Sequence, residues 1–194
     1  MFQVRVHGRG GQGVVTAAEL LSLAAFIDGR QAQAFPSFGL ERIGAPVVAY
    51  CRVADGPIRA REPVVSPDAL IVQDLTLLSL QEVWKGASPA TYVLLNSPKP
   101  WRELAGAELL SGFDPSRVVA APATEIALAQ VGRPVSYAAL LGGFAALTGV
   151  VSLSAVSQAI RQRFSGLAGE RNVAAAAEAF RLVDLARNSS SWAV

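Results

Sequence analysis

Residues 5–15 read RVHGRGGQGVV, and in this stretch four of the six residues from Gly8 to Gly13 are glycine. The residues before the loop, FQVRVH (2–7), alternate in polarity and predict a β-strand. The residues after it, VVTAAELLSLAAFI (14–27), predict an apolar helix that ends near Gly29. A strand, a glycine loop and a helix in this order are typical of α/β proteins, in which free backbone N–H groups at the helix start attract anions.

The rest of the chain continues the alternation of strands and helices. Short apolar runs at 69–74, 91–96 and 117–122 are typical of buried parallel strands. Helical patterns cover about 76–85, 123–130, 136–147, 152–164 and 172–187. The residues VVAYCRV and PIRAR flank Ala54-Asp55-Gly56 and predict an antiparallel hairpin near residues 47–61. We therefore predict an α/β fold, a single three-layer α/β/α domain over residues 1–194 with a mixed, mostly parallel sheet.

The glycine loop matches the dinucleotide pattern G-x-G-x-x-G at Gly8, Gly10 and Gly13. A nicotinamide or flavin site also needs an acidic residue about 20 residues further on, where it binds the ribose. The region RQAQAFPSF (30–38) contains no acidic residue. A P-loop is excluded because no Gly-Lys-Ser/Thr follows. The loop predicts either an anion site or a tight packing corner, without specifying NAD.

The composition indicates a chain that packs against another protein. Apolar residues make up 52% and charged residues 16%, against a usual charged share of about 25%. Residues 134–160 are uncharged, but Gly142-Gly143 and the pattern TGVVSLS predict two short buried helices in place of a membrane span. The net charge of +2 gives no argument for nucleic acid, and MFQVRV is no secretory signal. We expect a cytoplasmic protein with no membrane partner.

Few residues are candidates for chemistry in this chain. The one cysteine, Cys51, lies in a strand pattern and predicts a small core residue, since an iron–sulfur cluster needs about four cysteines. The one histidine, His7, is interpreted as a hydrogen-bonded residue at a strand end. No catalytic triad or metal cluster can be assembled around it, so the sequence predicts no catalytic residue and no metal ligand.

A second unusual stretch, AFPSFGLERIGAPVVAY (34–50), surrounds the Glu41–Arg42 pair with aromatic residues, glycines and prolines. Pro36 and Pro46 each lack a donor for a strand ladder, so the stretch is not regular throughout. Its composition fits either a docking surface or an ordinary packed loop with a solvated ion pair.

The two stretches together closely resemble the gamma subunit of the 2-oxoacid:ferredoxin oxidoreductases, a family that includes pyruvate, 2-oxoisovalerate, indolepyruvate and phenylglyoxylate enzymes. The resemblance rests on HGRGGQG (7–13) and QAFPSFGLERIGAPVVAYCRV (33–53) and continues through SPDALIVQD (66–74) to residue 164. It implies a non-catalytic subunit of an enzyme that decarboxylates a 2-oxo acid oxidatively to acyl-CoA and carbon dioxide.

The resemblance also implies where the cofactors lie. Thiamine diphosphate with Mg belongs to the alpha and beta subunits, and 4Fe-4S clusters belong to partner chains that include a ferredoxin-like delta subunit. Coenzyme A is implied as a co-substrate that this chain helps to hold. This division agrees with the sequence, which has no Gly-Asp-Gly thiamine motif and no set of cluster cysteines.

Two groups of site residues follow from the resemblance. The loop predicted to contact coenzyme A comprises Gly8, Arg9, Gly10, Gly11, Gln12 and Gly13. The predicted contact with the alpha subunit comprises Phe35, Pro36, Phe38, Glu41, Arg42 and Pro46. The alternatives left open are a structural role for the glycine loop, a free-standing NAD- or flavin-dependent reductase, and a small coenzyme A-binding module.

Overall fold

A computed structural model describes residues 1–37 and 43–188 of the chain. Its centre is a six-stranded sheet in the order β2-β3-β1-β4-β5-β6. The strands are β1 (Phe2–Arg9), β2 (Gln31–Pro36), β3 (Pro46–Ala54), β4 (Ala69–Val72), β5 (Tyr92–Asn96) and β6 (Val118–Ala121). β1, β4, β5 and β6 run parallel, whereas β3 is antiparallel to both β1 and β2. The predicted mixed, mostly parallel sheet is confirmed.

The helices of nine or more residues in the described ranges share one hydrophobic core. They are α1 (Val14–Ile27), α3 (Ala123–Val131), α4 (Tyr137–Thr148), α5 (Leu153–Arg163) and α6 (Gly166–Asn188). Side chains alternate between the faces of a strand, and Val4 and Val6 of β1 point into this core. We call this side of the sheet the helical face.

The other side of the sheet, which we call the open face, is covered more thinly. Over β4 to β6, a smaller core forms beneath α2 (Gln81–Trp84) and short 3-10 turns that include Leu75–Leu77 and Trp101–Glu103. Over β1 and β3, the open face carries polar and aromatic side chains, among them Arg5, Tyr50 and Arg52. The α/β class is confirmed, and its two helical layers are unequal.

The segment from Pro134 to Ile160 forms two helices, as the sequence predicts. α4 ends at Gly149 with a φ of 65°, and α5 begins at Ser152, whose hydroxyl accepts a hydrogen bond from the N–H of Ala155 at 3.0 Å. Within the described residues, no helix combines the length and the apolar character needed to cross a membrane.

The predicted hairpin near residues 47–61 is wrong in its second strand. Residues 57–61 form no strand, and β3 pairs instead with β1 and β2. After Gly56 the chain turns toward the open face, where the carbonyls of Ala60 and Glu62 accept hydrogen bonds from the Arg52 guanidinium. A buried guanidinium needs such acceptors, and this need outweighs the strand propensity of PIRAR.

Candidate functional site

The glycine loop lies where the sheet changes direction. β1 ends at Arg9, between the antiparallel β3 and the parallel β4, and α1 begins shortly after it at Val14. Ligands of open α/β sheets bind outside the carboxyl ends of the strands at such a switch point. The loop predicted from the sequence is therefore in the expected location for a binding site.

Close packing explains two of the loop glycines. A Cβ at Gly8 would lie 2.6 Å from Cγ2 of Val14, and a Cβ at Gly13 would lie 2.6 Å from Cδ1 of Tyr137. Gly13 also has a φ of 77°, in the left-handed region. These two glycines fix the corner between β1, α1 and α4, which supports the structural alternative for this part of the loop.

Gly11 differs from its neighbours in having open space around it. Its φ is 93°, it is exposed, and a Cβ at this position would have no neighbouring atom within 4 Å. The backbone N–H groups of Gly11 and Gly13 have no acceptor among the described residues. Within α1, the first N–H that donates to a loop carbonyl is that of Ala17, which donates to the carbonyl of Gly13 at 2.9 Å. The first turn of α1 therefore keeps donors that can bind an anion.

A pocket of about 290 Å³ lies against these donors. Its walls come from the loop, from Val14 to Thr16 in the first turn of α1, and from Val47 of β3. Arg9 and Gly10 also line it. The arrangement can hold an anionic group against backbone N–H donors and the positive end of a 14-residue helix.

Arg9 is held by neighbouring residues of the same chain. Its guanidinium donates to the hydroxyl of Thr76 at 2.6 Å and to the carbonyl of Gly44 at 2.9 Å. It also forms an ion pair with Asp74 at 3.3 Å. The Arg9 side chain is 32% exposed, so its charge reaches the pocket while being shared with Asp74. Its contact with a ligand stays a prediction.

Gln12 joins the loop to the end of β4. Its side-chain oxygen accepts from the N–H of Arg9 at 2.7 Å, and its amide donates to Asp74 at 2.8 Å. Burial raises the pKa of Asp74, but hydrogen bonds from Thr76 and Gln12 and the charge of Arg9 outweigh it and hold the pKa below its ordinary value. Asp74 is therefore an ionised anchor for the loop.

The sequence reasoning missed Asp74 and Thr76 as loop partners. The available signal was their place directly after the buried run ALIV of β4, because parallel strands end at the same edge of a sheet. Gln73 also lies at this edge. It is 3% exposed, and both polar atoms of its side chain lack a hydrogen-bond partner.

The residues predicted for subunit contact are only partly described. Phe38, Glu41 and Arg42 lie outside the described residues. Phe35 packs against Tyr50 across β2 and β3 with ring centroids 5.1 Å apart and ring planes tilted by 37°, and the Arg52 guanidinium lies 5.2 Å from the centre of the Phe35 ring. Pro36 ends β2, and Pro46 begins β3 at an exposed position. These two rings and the Arg52 guanidinium lie on the open face of the sheet.

His7 and Cys51 occupy different environments. Cys51 is fully buried in the core of the helical face, and burial raises the pKa of its thiol to about 12, which confirms its assignment as a core residue. His7 lies near the end of β1 on the open face. Burial, and then the charge of Arg5, lower the pKa of His7 to about 3, so its imidazole is neutral. The expected hydrogen bond is wrong for Nε2, which is buried without a partner.

Comparisons with known proteins agree with the resemblance drawn from the two sequence motifs. The family model of the pyruvate ferredoxin/flavodoxin oxidoreductases matches residues 3–182. The common gamma subunit of the pyruvate/ketoisovalerate oxidoreductases from Thermococcus kodakarensis is 44% identical over 180 residues, which are 93% of this chain and 96% of that protein.

Solved structures show the same fold. The pyruvate oxidoreductase subunit PORC from Thermotoga maritima is 32% identical, with a TM-score of 0.79 over 93% of this chain and 95% of that one. A 2-oxoglutarate:ferredoxin oxidoreductase from Magnetococcus marinus, solved with 2-oxoglutarate, coenzyme A and succinyl-CoA bound, shares the fold at 17% identity. Its TM-score is 0.74, and the match covers 95% of this chain and 31% of that one. From the family match and the 44% identical relative, we conclude that this chain belongs to the pyruvate ferredoxin/flavodoxin oxidoreductase family.

Proposed function

We propose that this chain is the gamma subunit of a cytoplasmic complex that oxidatively decarboxylates a 2-oxo acid to acyl-CoA and carbon dioxide. The observation that carries the proposal is the family match over residues 3–182, joined to 44% identity with a relative that is itself a gamma subunit. In this proposal residues 1–194 form one gamma-type domain without a catalytic residue of its own.

The partners in the proposal are alpha and beta subunits, which carry thiamine diphosphate and Mg, and a ferredoxin-like delta subunit with 4Fe-4S clusters. Thiamine diphosphate supplies the carbanion chemistry of the decarboxylation on those subunits. The content of this chain supports the assignment of the clusters to other chains, because its single thiol is fully buried and a cluster needs about four.

The contribution of this chain to coenzyme A binding is assigned to the glycine loop. The pyrophosphate and 3′-phosphate of coenzyme A are anionic, and the pocket beside Gly11 offers free N–H donors at a helix N-terminus. Further support comes from the fold shared with the 2-oxoglutarate enzyme that was solved with coenzyme A. The loop would hold a phosphate, and Arg9 would add its partly shared charge.

The topology argues against a free-standing dinucleotide reductase. In a dinucleotide-binding sheet the acid that binds the ribose ends the strand beside β1. Here β3 separates β2 from β1, and β2 ends in Phe35-Pro36-Ser37 with no acidic residue. The strands that flank β1 here are β3 and β4, and the carboxylate that follows β4, Asp74, is already engaged by Arg9, Gln12 and Thr76.

Anaerobic affinity purification of the tagged chain from its host tests the assembly. We expect larger partner chains, thiamine diphosphate and iron–sulfur absorbance to purify with it. A variant Ile43→Asp, at a side chain 97% exposed next to the predicted contact loop, should lose the partners. Leu167→Asp, at a position 67% exposed at the start of α6, is the matched control and should keep them. A solitary, colourless chain that binds NAD or flavin stoichiometrically would contradict the proposal.

Substitutions at Gly11 test the coenzyme A contact in the purified complex. Asn and Asp adopt the left-handed backbone more readily than other side chains and share the same strain at Gly11, so Gly11→Asn and Gly11→Asp differ mainly in charge. We expect Gly11→Asp to raise the KM for coenzyme A roughly tenfold or more, because a carboxylate beside the phosphate repels it, while Gly11→Asn changes it little. Equal KM values in the two variants would remove the loop from the coenzyme A site without affecting the subunit assignment.

A further inference from the structure

A second pocket lies on the open face, across the sheet from α1. It has a volume of about 170 Å³ and is bounded by β1 and β3 on one side and by the turn that leads into α2 on the other. Arg5 and His7 lie at its base, and Leu77, Leu80 and Val83 provide apolar walls. The space accommodates a ligand of a few heavy atoms.

The base of this pocket carries an uncompensated charge. Arg5 is 5% exposed, and its Nη2 donates to the carbonyls of Val83 and Lys85 at 2.9 and 2.7 Å. Nε is buried without a partner, and Nη1 has no acceptor among the described residues. No described carboxylate lies within 4 Å of this guanidinium. Buried charges are normally paired, so this guanidinium is suited to bind an anion.

Arg52, another buried arginine of the open face, has hydrogen-bond acceptors and a nearby carboxylate from its own chain. Arg52 is 1% exposed, donates to Gln3 at 3.1 Å and to the carbonyls of Ala60 and Glu62, and has the Glu62 carboxylate at 3.9 Å. Arg5 has no equivalent carboxylate among the described residues. Arg5 lines the pocket, and since its Nε is buried, Nη1 is the donor that a ligand in the pocket would meet.

His7 adds a second unpaired polar group at the same base. It is 7% exposed, and its Nε2 has no partner. Burial lowers the pKa of this imidazole most and the positive charge of Arg5 lowers it further, and an anion on Arg5 would offset the second effect. The groups that face His7 and Arg5 across the pocket are the Tyr50 phenol and, at the exposed rim, Glu82.

We infer that this pocket is a binding site for a small aliphatic carboxylate, whose oxygens accept hydrogen bonds from Arg5 and whose hydrocarbon part packs against Leu77, Leu80 and Val83. This inference does not depend on the proposed function, because it concerns another face of the sheet and another ligand chemistry. The free acid is favoured as the occupant because the pocket is concave and large enough for the whole molecule.

The single histidine of the chain provides a direct readout. In the full chain with labelled histidine, 2-methylpropanoate should shift the His7 NMR resonance saturably, whereas the neutral 2-methylpropanamide should not. Arg5→Gln should weaken carboxylate binding roughly tenfold or more, because a charge-assisted hydrogen bond is lost. Arg171→Gln, at an exposed position on α6, is the matched control and should bind as the wild type does.

A rim variant keeps the inference testable if Arg5→Gln does not fold. Glu82 is exposed, so Glu82→Gln should fold normally and should tighten carboxylate binding by removing a like charge. Equal shifts with the acid and the amide, or no saturable shift with the acid, would overturn the inference. If His7 in the assembled complex is already shifted and no longer responds to the acid, a side chain of another subunit fills the pocket, and the free acid is overturned as its occupant.

Discussion

The two faces of the central sheet differ in the side chains that they bury and in the elements that cover them. On the helical face, alanine and branched aliphatic side chains from α1 and α3 to α6 form one continuous core. On the open face, Arg5, His7, Tyr50 and Arg52 lie over β1 and β3, and no helix longer than the four residues of α2 covers the described part of that face. One face is covered by long helices of the chain itself, and the other leaves polar and aromatic groups under thinner cover.

In the proposed assembly, coverage of the open face would account for the low share of charged residues. A face that is covered in an assembly needs less surface charge than a free surface does, and charged residues make up only 16% of this chain. The two buried arginines of the open face, Arg5 and Arg52, differ in their hydrogen-bond partners. Arg52 has acceptors supplied by its own chain, whereas the pocket at Arg5 leaves donors unpaired.

The largest effect should come from disturbing the helical face at Gly142. α4 and α6 approach so closely there that a Cβ would overlap the carbonyl oxygen of Ala176 and lie 2.6 Å from its carbon. We expect Gly142→Ala to lower the free energy of unfolding by about 3 kcal/mol or more, since backbone cannot move aside as a side chain can. Chemical denaturation measures the change.

The neighbouring Gly143→Ala is the control for that experiment. A Cβ at Gly143 would lie 3.3 Å from Cγ2 of Val183, a side-chain methyl that can shift slightly. The gain in helix propensity of about 1 kcal/mol should offset most of the strain, so little net change is expected. Similar losses in both variants would mean that the close approach at Gly142 does not limit the packing of the two helices.

The next largest effect should come from Arg52 on the open face. Arg52→Met keeps much of the side-chain volume but leaves the carbonyls of Ala60 and Glu62 without their donor. We expect a loss of about 2 kcal/mol in the free energy of unfolding, because hydrogen bonds from a charged donor to partly buried carbonyls are lost. Arg61→Met, at an exposed residue of the same segment, should change stability little, and denaturant midpoints compare the two.

The smallest effect should be the pH dependence that His7 contributes between about pH 7 and about pH 5. Its pKa is about 3 in the folded chain, against an ordinary value of 6.5. Between these values the unfolded state binds more protons, so the stability contribution is complete above about pH 6.5 and is lost as the pH falls toward about 3. We expect a slope of at most about 1.4 kcal/mol per pH unit within this window.

The measurement for His7 is urea unfolding at about pH 7 and about pH 5, since both lie above the range in which most carboxylates titrate. In His7→Gln the free energy of unfolding should change much less between these two pH values than it does in the wild type. Because the carboxylates are the same in both chains, the difference isolates His7. Equal changes in the free energy of unfolding in the variant and the wild type would show that His7 takes up its proton in the folded state as readily as in the unfolded state.

The parts of the fold that the sequence predicted correctly are those with strong local patterns. The alternation in residues 2–7 and the glycine loop predicted β1 and the start of α1, and TGVVSLS predicted the boundary between α4 and α5. The predicted second strand of the hairpin is wrong. The carbonyls of Ala60 and Glu62 accept hydrogen bonds from Arg52 on the open face, and this contact forms only in the folded chain. Local propensity carries no information about such a contact.

The candidate sites divide in the same way. The glycine loop was visible in the sequence because close approaches at Gly8 and Gly13 require glycine whatever the loop binds. Its anchors Asp74 and Thr76 lie far along the chain and were not visible, since only the parallel pairing of β1 with β4 brings their ends together. Whether Arg9 stands free or is held was likewise decided by that pairing.

The sequence by itself determined the α/β class, the strand–loop–helix corner at residues 2–27 and the family, because each rests on residues close together in the chain or on a long, specific motif. Only the tertiary structure decided which face the helices cover and which charges lack partners. The placement of Arg5 and His7 beside α2 joins segments that are distant in the chain. The burial that leaves Arg5 without an ion pair among the described residues arises only when the sheet and the α2 segment pack together.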